Sequence, residues 1–243
     1  LWASLTVPPR TLAYGPAPDQ VIDLRSPSSP RGLAVLIHGG FWRQQWARDI
    51  MDPLAVTLHE EGWATATIEH RRGPDSFEAA TGDVAAALQL ALDELHGPTD
   101  PPVVLIGHSA GGYLALREAS HNPRISALGL APVTDLTGIA TIRQEAAEDD
   151  PITAFLGSSH ADDPGRWQRA ALTGLPADRI RIVHGANDES VPADHSRSLA
   201  EHYPGLTVTV LADVDHMSLI DPLRTAHQDV VTALAELADS SGS

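Results

Sequence analysis

The sequence predicts an α/β fold: a mostly parallel central sheet with helices on both faces. Short apolar β-type runs alternate with helical patterns almost from end to end, the signature of a layered α/β domain. The run at 103–106 turns straight into a helical pattern through Gly107-His108-Ser109-Ala110-Gly111. With 243 residues and 42% hydrophobic content, the chain can bury one sizeable core, so one domain over 1–243 is expected.

The elements follow in order. Residues 11–14 and 21–24, separated by Gly15, Pro16 and Pro18, read as an edge hairpin. Leu33 to Ile37 is a continuous apolar run, followed by a helix from Pro53 to Glu61 that stops at Gly62. Residues 64–68 form the next strand. From Phe77 to Leu95, Val84, Leu88, Ala91, Leu92 and Leu95 share one helical stripe, which stops at Gly97-Pro98. Strands at 103–106, 125–130, 180–183 and 207–211 follow, and a helix at about 219–237 closes the chain. Between Pro132 and Asp178 the pattern weakens around an acidic stretch at 145–150, and this segment, 132–178, is expected to form a small cap.

Composition removes whole classes of chemistry. All 16 basic side chains are arginine and cysteine is absent. Schiff-base catalysis and a P-loop both need lysine, and thiol catalysis needs cysteine. Any covalent step falls to a hydroxyl or a carboxylate. A net charge of −16 disfavours nucleic acid and anionic membrane surfaces as partners. The amino terminus shows no charged-then-apolar leader pattern, and a cytoplasmic location is expected. A homodimer is compatible with this reading.

Gly107-His108-Ser109-Ala110-Gly111 is a G-x-S-x-G turn between a strand and a helix. At such an elbow the serine is lifted above the sheet, while flanking glycines let strand and helix approach closely. Ser109 is therefore the expected nucleophile, and it needs a base held by an acid. Asp188 follows the strand at 180–183 and His216 follows the one at 207–211, both at the carboxyl edge where α/β sites form. Ser109, Asp188, His216 is the expected catalytic set. Asp135 is the main rival acid, with Glu189, Asp194 and Asp213 behind it. An oxyanion hole is expected from the backbone N–H groups of Gly40 and Phe41, in His38-Gly39-Gly40-Phe41-Trp42, together with Ala110. His38 is expected to brace that loop by hydrogen bonding. Phe41, Trp42 and Trp46 are candidates for an aromatic substrate wall, with packing the competing role for Trp42 and Trp46. Arg43, Arg71 and Arg72 are candidate carboxylate partners, with solvation the competing role.

No metal and no cofactor are expected. His59-Glu60-Glu61-Gly62-Trp63 departs from H-E-x-x-H, and residues 107–112 carry serine where a dinucleotide loop needs glycine.

On these motifs the chain resembles the α/β-hydrolase superfamily over nearly its whole length. More narrowly it resembles the kynurenine formamidase (arylformamidase) and related carboxylesterase group, through His38-Gly39-Gly40-Phe41-Trp42, Gly107 to Gly112, and the ending His216 to Pro222. Phe41 stands where formamidases often have tyrosine, and His70-Arg71-Arg72 where the group often has Tyr-Arg. The resemblance implies an α/β-hydrolase fold and cleavage of a small-molecule amide or ester by a serine hydrolase. The substrate would be N-formylkynurenine, giving kynurenine and formate, or a short or aryl ester. A non-catalytic binding module of the same fold is the alternative of another class. A peptidase usually carries a large additional domain, for which this chain has no room.

Overall fold

The computed structural model describes residues 7–95, 101–146 and 149–240. Eight strands form one sheet: β1 (Arg10–Ala13), β2 (Val21–Arg25), β3 (Leu33–Ile37), β4 (Ala64–Ile68), β5 (Val103–His108), β6 (Ser126–Leu130), β7 (Ile180–Gly185) and β8 (Thr207–Leu211). Their spatial order is β1-β2-β4-β3-β5-β6-β7-β8. The β1–β2 and β2–β4 pairings are antiparallel and the rest are parallel. This is the α/β-hydrolase architecture expected from the sequence. Strands β3 to β6 are buried along their whole length, which explains the continuous apolar runs of β3 and of β5 up to Ile106.

The helices are α1 (Asp52–Glu60), α2 (Phe77–Glu94), α3 (Ala110–His121), α4 (Leu136–Glu145), α5 (Pro151–Leu156), α6 (Pro164–Ala170), α7 (Ala193–His202) and α8 (Ala226–Ser240). The buried apolar faces of α2 and α3 pack in one core layer, and those of α1 and α8 in the layer on the other side of the sheet. The expected stop at Gly97-Pro98 lies outside the described residues. No helix among the described residues is long and apolar enough to cross a membrane.

Strand order positions the site. The chain adds β4 on one side of β3, then crosses back to lay β5 on the other, with Ile37 opposite Gly107. At such a reversal the two following connections diverge to opposite faces and open a crevice beyond the carboxyl ends of the strands. Residues 38–42 and Ser109 both leave the sheet there.

The segment 132–178 contains three short helices, each begun by an aspartate. Asp135 caps α4 through Gly138 N–H, Asp150 caps α5 through the N–H groups of Ile152 and Thr153, and Asp163 caps α6 through Arg166 N–H. Asp150-Pro151 and Asp163-Pro164 each combine a capping side chain with proline, whose missing N–H costs nothing at the first helical position. Apolar periodicity is weak in short helices, and the Asp-Pro pairs are the signal that could have located α5 and α6.

Candidate active site

Ser109 sits at φ 55°, a left-handed conformation rare for a side chain with a Cβ, between β5 and α3. The surroundings lock it there. Its N–H donates to the Leu130 carbonyl at 2.9 Å, and its carbonyl accepts from Val133 N–H at 3.1 Å. A Cβ at Gly107 would fall 2.2 Å from the Gly111 carbonyl oxygen, and one at Gly111 would fall 2.2 Å from that of Ile37. Both positions therefore require glycine, and the close approach they permit fixes the turn.

His216 leads into a short 3₁₀ turn, Met217–Ile220, whose first N–H groups are capped by the Asp215 carboxylate at 3.0 and 2.9 Å. Its Nδ1 lies 2.6 Å from Asp188 Oδ2. Its ring packs at 4.5 Å, centroid to centroid, against that of His108, the residue before Ser109. His108 in turn donates from Nε2 to the His216 carbonyl at 3.0 Å. Burial and the neighbouring His216 push the His108 imidazole down to about 3, so it is neutral and adds no positive charge beside the base.

Asp188 is buried, and its Oδ1 accepts from Ser190 and Val191 N–H at 2.9 and 2.8 Å. Burial alone would push its carboxyl up. Hydrogen bonds from His184 and His216, with that from Val191 N–H, outweigh it and hold the group well below the usual carboxylate range. Asp188 is thus ionised at neutral pH and occupies the Nδ1 side of His216, which leaves Nε2 to take up a proton.

His184 is a member of this cluster that sequence reasoning missed. It is fully buried, with Nδ1 2.8 Å from Ser196 Oγ, and Nε2 2.9 Å from the Val191 carbonyl and 3.2 Å from Asp188 Oδ2. Because a carbonyl only accepts, Nε2 carries the hydrogen, and Nδ1 faces the Ser196 hydroxyl. Its signal lay in its place, at the end of β7 four residues before Asp188.

The glycine-rich loop lies against the elbow: a Cβ at Gly39 would fall 2.7 Å from Ser109 Cβ. Gly40, Phe41 and Trp42 take φ of 111°, 50° and 54°. The loop that carries the candidate oxyanion donors Gly40 and Phe41 thus meets the elbow at Gly39, and the third candidate, Ala110, follows Ser109 in the chain. His38 is buried beside them, hydrogen-bonded to the Gly39 carbonyl and to Glu69.

The aromatic candidates separate. Trp42 is 2% exposed, stacked on Phe155 of α5 at 3.9 Å and edge-on to Tyr113. It packs in the core, the role that competed with the substrate wall for it. Trp46 is 37% exposed, and its indole rests on Gly40. Phe41 is half-buried beneath the Arg143 guanidinium, 4.6 Å from its ring centroid. Arg43 pairs with Asp149 at 2.8 Å, Arg71 with Asp83, and Arg72 with Glu69. Among the rival acids, Asp135 caps α4 and pairs with His195, and Asp194 pairs with Arg197. Neither is the partner of His216.

The profile of the BD-FAE family matches residues 22–203, three quarters of the chain. The chain belongs to the BD-FAE family. Over 182 residues this family member is 25% identical to the non-reducing polyketide synthase pkbA of Emericella nidulans; the match covers 68% of the chain and 6% of the synthase. The chain thus corresponds to a small part of that relative's length. Among solved structures it is similar to Esterase B from Lactobacillus rhamnosis, with a TM-score of 0.76, 17% identity, and 96% and 85% of the two chains covered. It is also similar to a bacterial heroin esterase, with a TM-score of 0.71, 23% identity, and 97% and 84% covered. At these identities the likeness establishes the fold.

Proposed function

We propose that the chain is a serine hydrolase that cleaves a small, uncharged ester through an acyl-enzyme. The observation that carries this reading is the 2.6 Å Asp188–His216 pair beside a serine held at φ 55° under a glycine-rich loop. Ser109 Oγ attacks the ester carbonyl while His216 Nε2 takes its proton; Asp188 orients the ring and stabilises the imidazolium. The N–H groups of Gly40, Phe41 and Ala110 hold the oxyanion. As the intermediate collapses, His216 returns the proton to the leaving alcohol. Water then attacks the acyl-serine, with the same histidine as base, and releases the acid.

Two features support an uncharged ester. Relatives in fold include proteins described as esterases. Arg43, Arg71 and Arg72, the arginines that could have bound a substrate carboxylate, are already committed to Asp149, Asp83 and Glu69. The narrower arylformamidase reading rests on the His38-Gly39-Gly40-Phe41-Trp42 resemblance; it would need another cation for the amino-acid end of N-formylkynurenine. The 132–178 segment is proposed to wall the site, since α5 packs on Trp42 and Arg143 of α4 covers Phe41.

Steady-state kcat/KM of wild type, Ser109→Ala and Asp188→Asn on short p-nitrophenyl esters and on N-formylkynurenine tests this. Losses of at least about 10³-fold for Ser109→Ala and about 10⁴-fold in kcat for Asp188→Asn are expected. Preference for N-formylkynurenine would establish the formamidase. Absence of serine-dependent turnover of either substrate would favour a binding module.

A further inference from the structure

We propose that His38 is a positioning residue that aims the oxyanion donors, by anchoring the Gly39–Gly40 peptide at one ring nitrogen while Glu69 holds the other. The inference rests on the reading of Ser109 as nucleophile.

His38 is 1% exposed; its Nδ1 lies 2.8 Å from the Gly39 carbonyl oxygen and its Nε2 2.9 Å from Glu69 Oε1. A carbonyl can only accept, so Nδ1 must donate. Glu69 also acts as an acceptor. Burial pushes its carboxyl up, but His38, Arg48 N–H and Arg72 overcome this and bring it to about 2. The contact with the Gly39 carbonyl therefore fixes Nδ1 as a donor, and Glu69 holds the ring from its other side. The His70 ring, stacked at 4.5 Å and 12°, fixes the plane of His38.

Peptide geometry carries the consequence to Ser109. All described peptide bonds are trans, so the carbonyl and N–H of one peptide point in opposite directions. With the Gly39 carbonyl turned to His38, the Gly40 N–H is turned away from it. In the next peptide the Gly40 carbonyl accepts from Arg43 N–H at 3.0 Å, which turns Phe41 N–H the other way as well. Three successive residues at positive φ form a strained loop that persists only where its surroundings over-determine it. A hydrogen bond donated to the Gly39 carbonyl also polarises the peptide and strengthens Gly40 N–H as a donor.

Two substitutions separate the contacts. In His38→Asn the side-chain amide takes the place of Nδ1 and can still reach the Gly39 carbonyl; in His38→Gln it takes the place of Nε2 and can reach only Glu69. If the Gly39 anchor aims the donors, His38→Gln loses about 100-fold in kcat with KM nearly unchanged, the size of one lost oxyanion donor, while His38→Asn stays within about 10-fold of wild type. A Gln variant as active as the Asn variant, or a loss confined to KM, overturns the proposal. Imidazole NMR of the wild type needs no variant to fold: a hydrogen-bonded proton on His38 Nδ1 is expected, and an unprotonated Nδ1 overturns the proposal. Failure of the serine-hydrolase reading is distinct, because it appears as wild-type protein without Ser109-dependent turnover, while the NMR result on His38 stands.

Discussion

The acid of the site illustrates how a residue's surroundings set its chemistry. Asp188 is buried, yet it stays ionised because two backbone N–H groups and two imidazoles donate to it. Elsewhere burial wins. His70 and His108 are held at about 3, first by desolvation and then by a neighbouring histidine. An unfolded chain protonates such rings below about 6.5, so between about 6.5 and 3 the unfolded state binds more protons than the folded one. The stability these rings contribute is full above that window and is lost as the pH falls through it. Glu69 at about 2 and the depressed Asp188 act in the same direction below about 4.5, since each carboxylate must give up native partners when protonated. The unfolding temperature measured by calorimetry is expected to drop steadily from pH 7 to pH 4; a flat profile would contradict these assignments. None of this was legible in the sequence, where the twelve histidines carry no mark of their burial or their partners.

At the scale of elements, β3 and β5 were legible because each apolar run is buried whole, whereas the closing helix, expected from about 219, begins at Ala226 after the 3₁₀ turn Met217–Ile220. The expected helix over 53–61 and the one from 77 to 95 match α1 and α2 closely, with Gly62 at φ 93° where the first stops. The short helices α5 and α6 were not legible by period, since six or seven residues hold fewer than two full turns. Their Asp-Pro starts are the local signal that could have located them. The same limit explains Trp42 and Trp46, which look equivalent four residues apart in sequence. Contact with α5 buries one, while the other remains on the loop surface. Trp42→Ala is expected to cost about 3–5 kcal/mol of stability by opening a cavity against Phe155 and Tyr113. Trp46→Ala is expected to cost under about 1 kcal/mol, as surface changes usually do, and to alter KM. Chemical denaturation and ester kinetics on the two variants check this; equal destabilisation would place both indoles in the core.

Over the whole molecule, a net charge of −16 on 243 residues sets a negative field around the crevice. Such a field repels anionic substrates and draws cationic ones, and it is screened as the Debye length shrinks from about 30 Å at 0.01 M salt to about 8 Å at 0.15 M. Over that range kcat/KM is expected to rise for an anionic ester, fall for a cationic one and hardly change for a neutral one; identical salt responses would show that the field does not reach the site. The sequence by itself determined the α/β class, the elbow with its obligatory glycines and the places of Ser109 and His216 after strands, because strand periodicity and steric demands are local and leave their mark in consecutive residues. Only the tertiary structure decided which aspartate meets His216, that His184 and Glu69 support the site, that Trp42 is core, and that three arginines are already paired. Each of those depends on burial and on partners dozens of residues away, and those are set when the sheet reverses between β3 and β5 and brings the loops together.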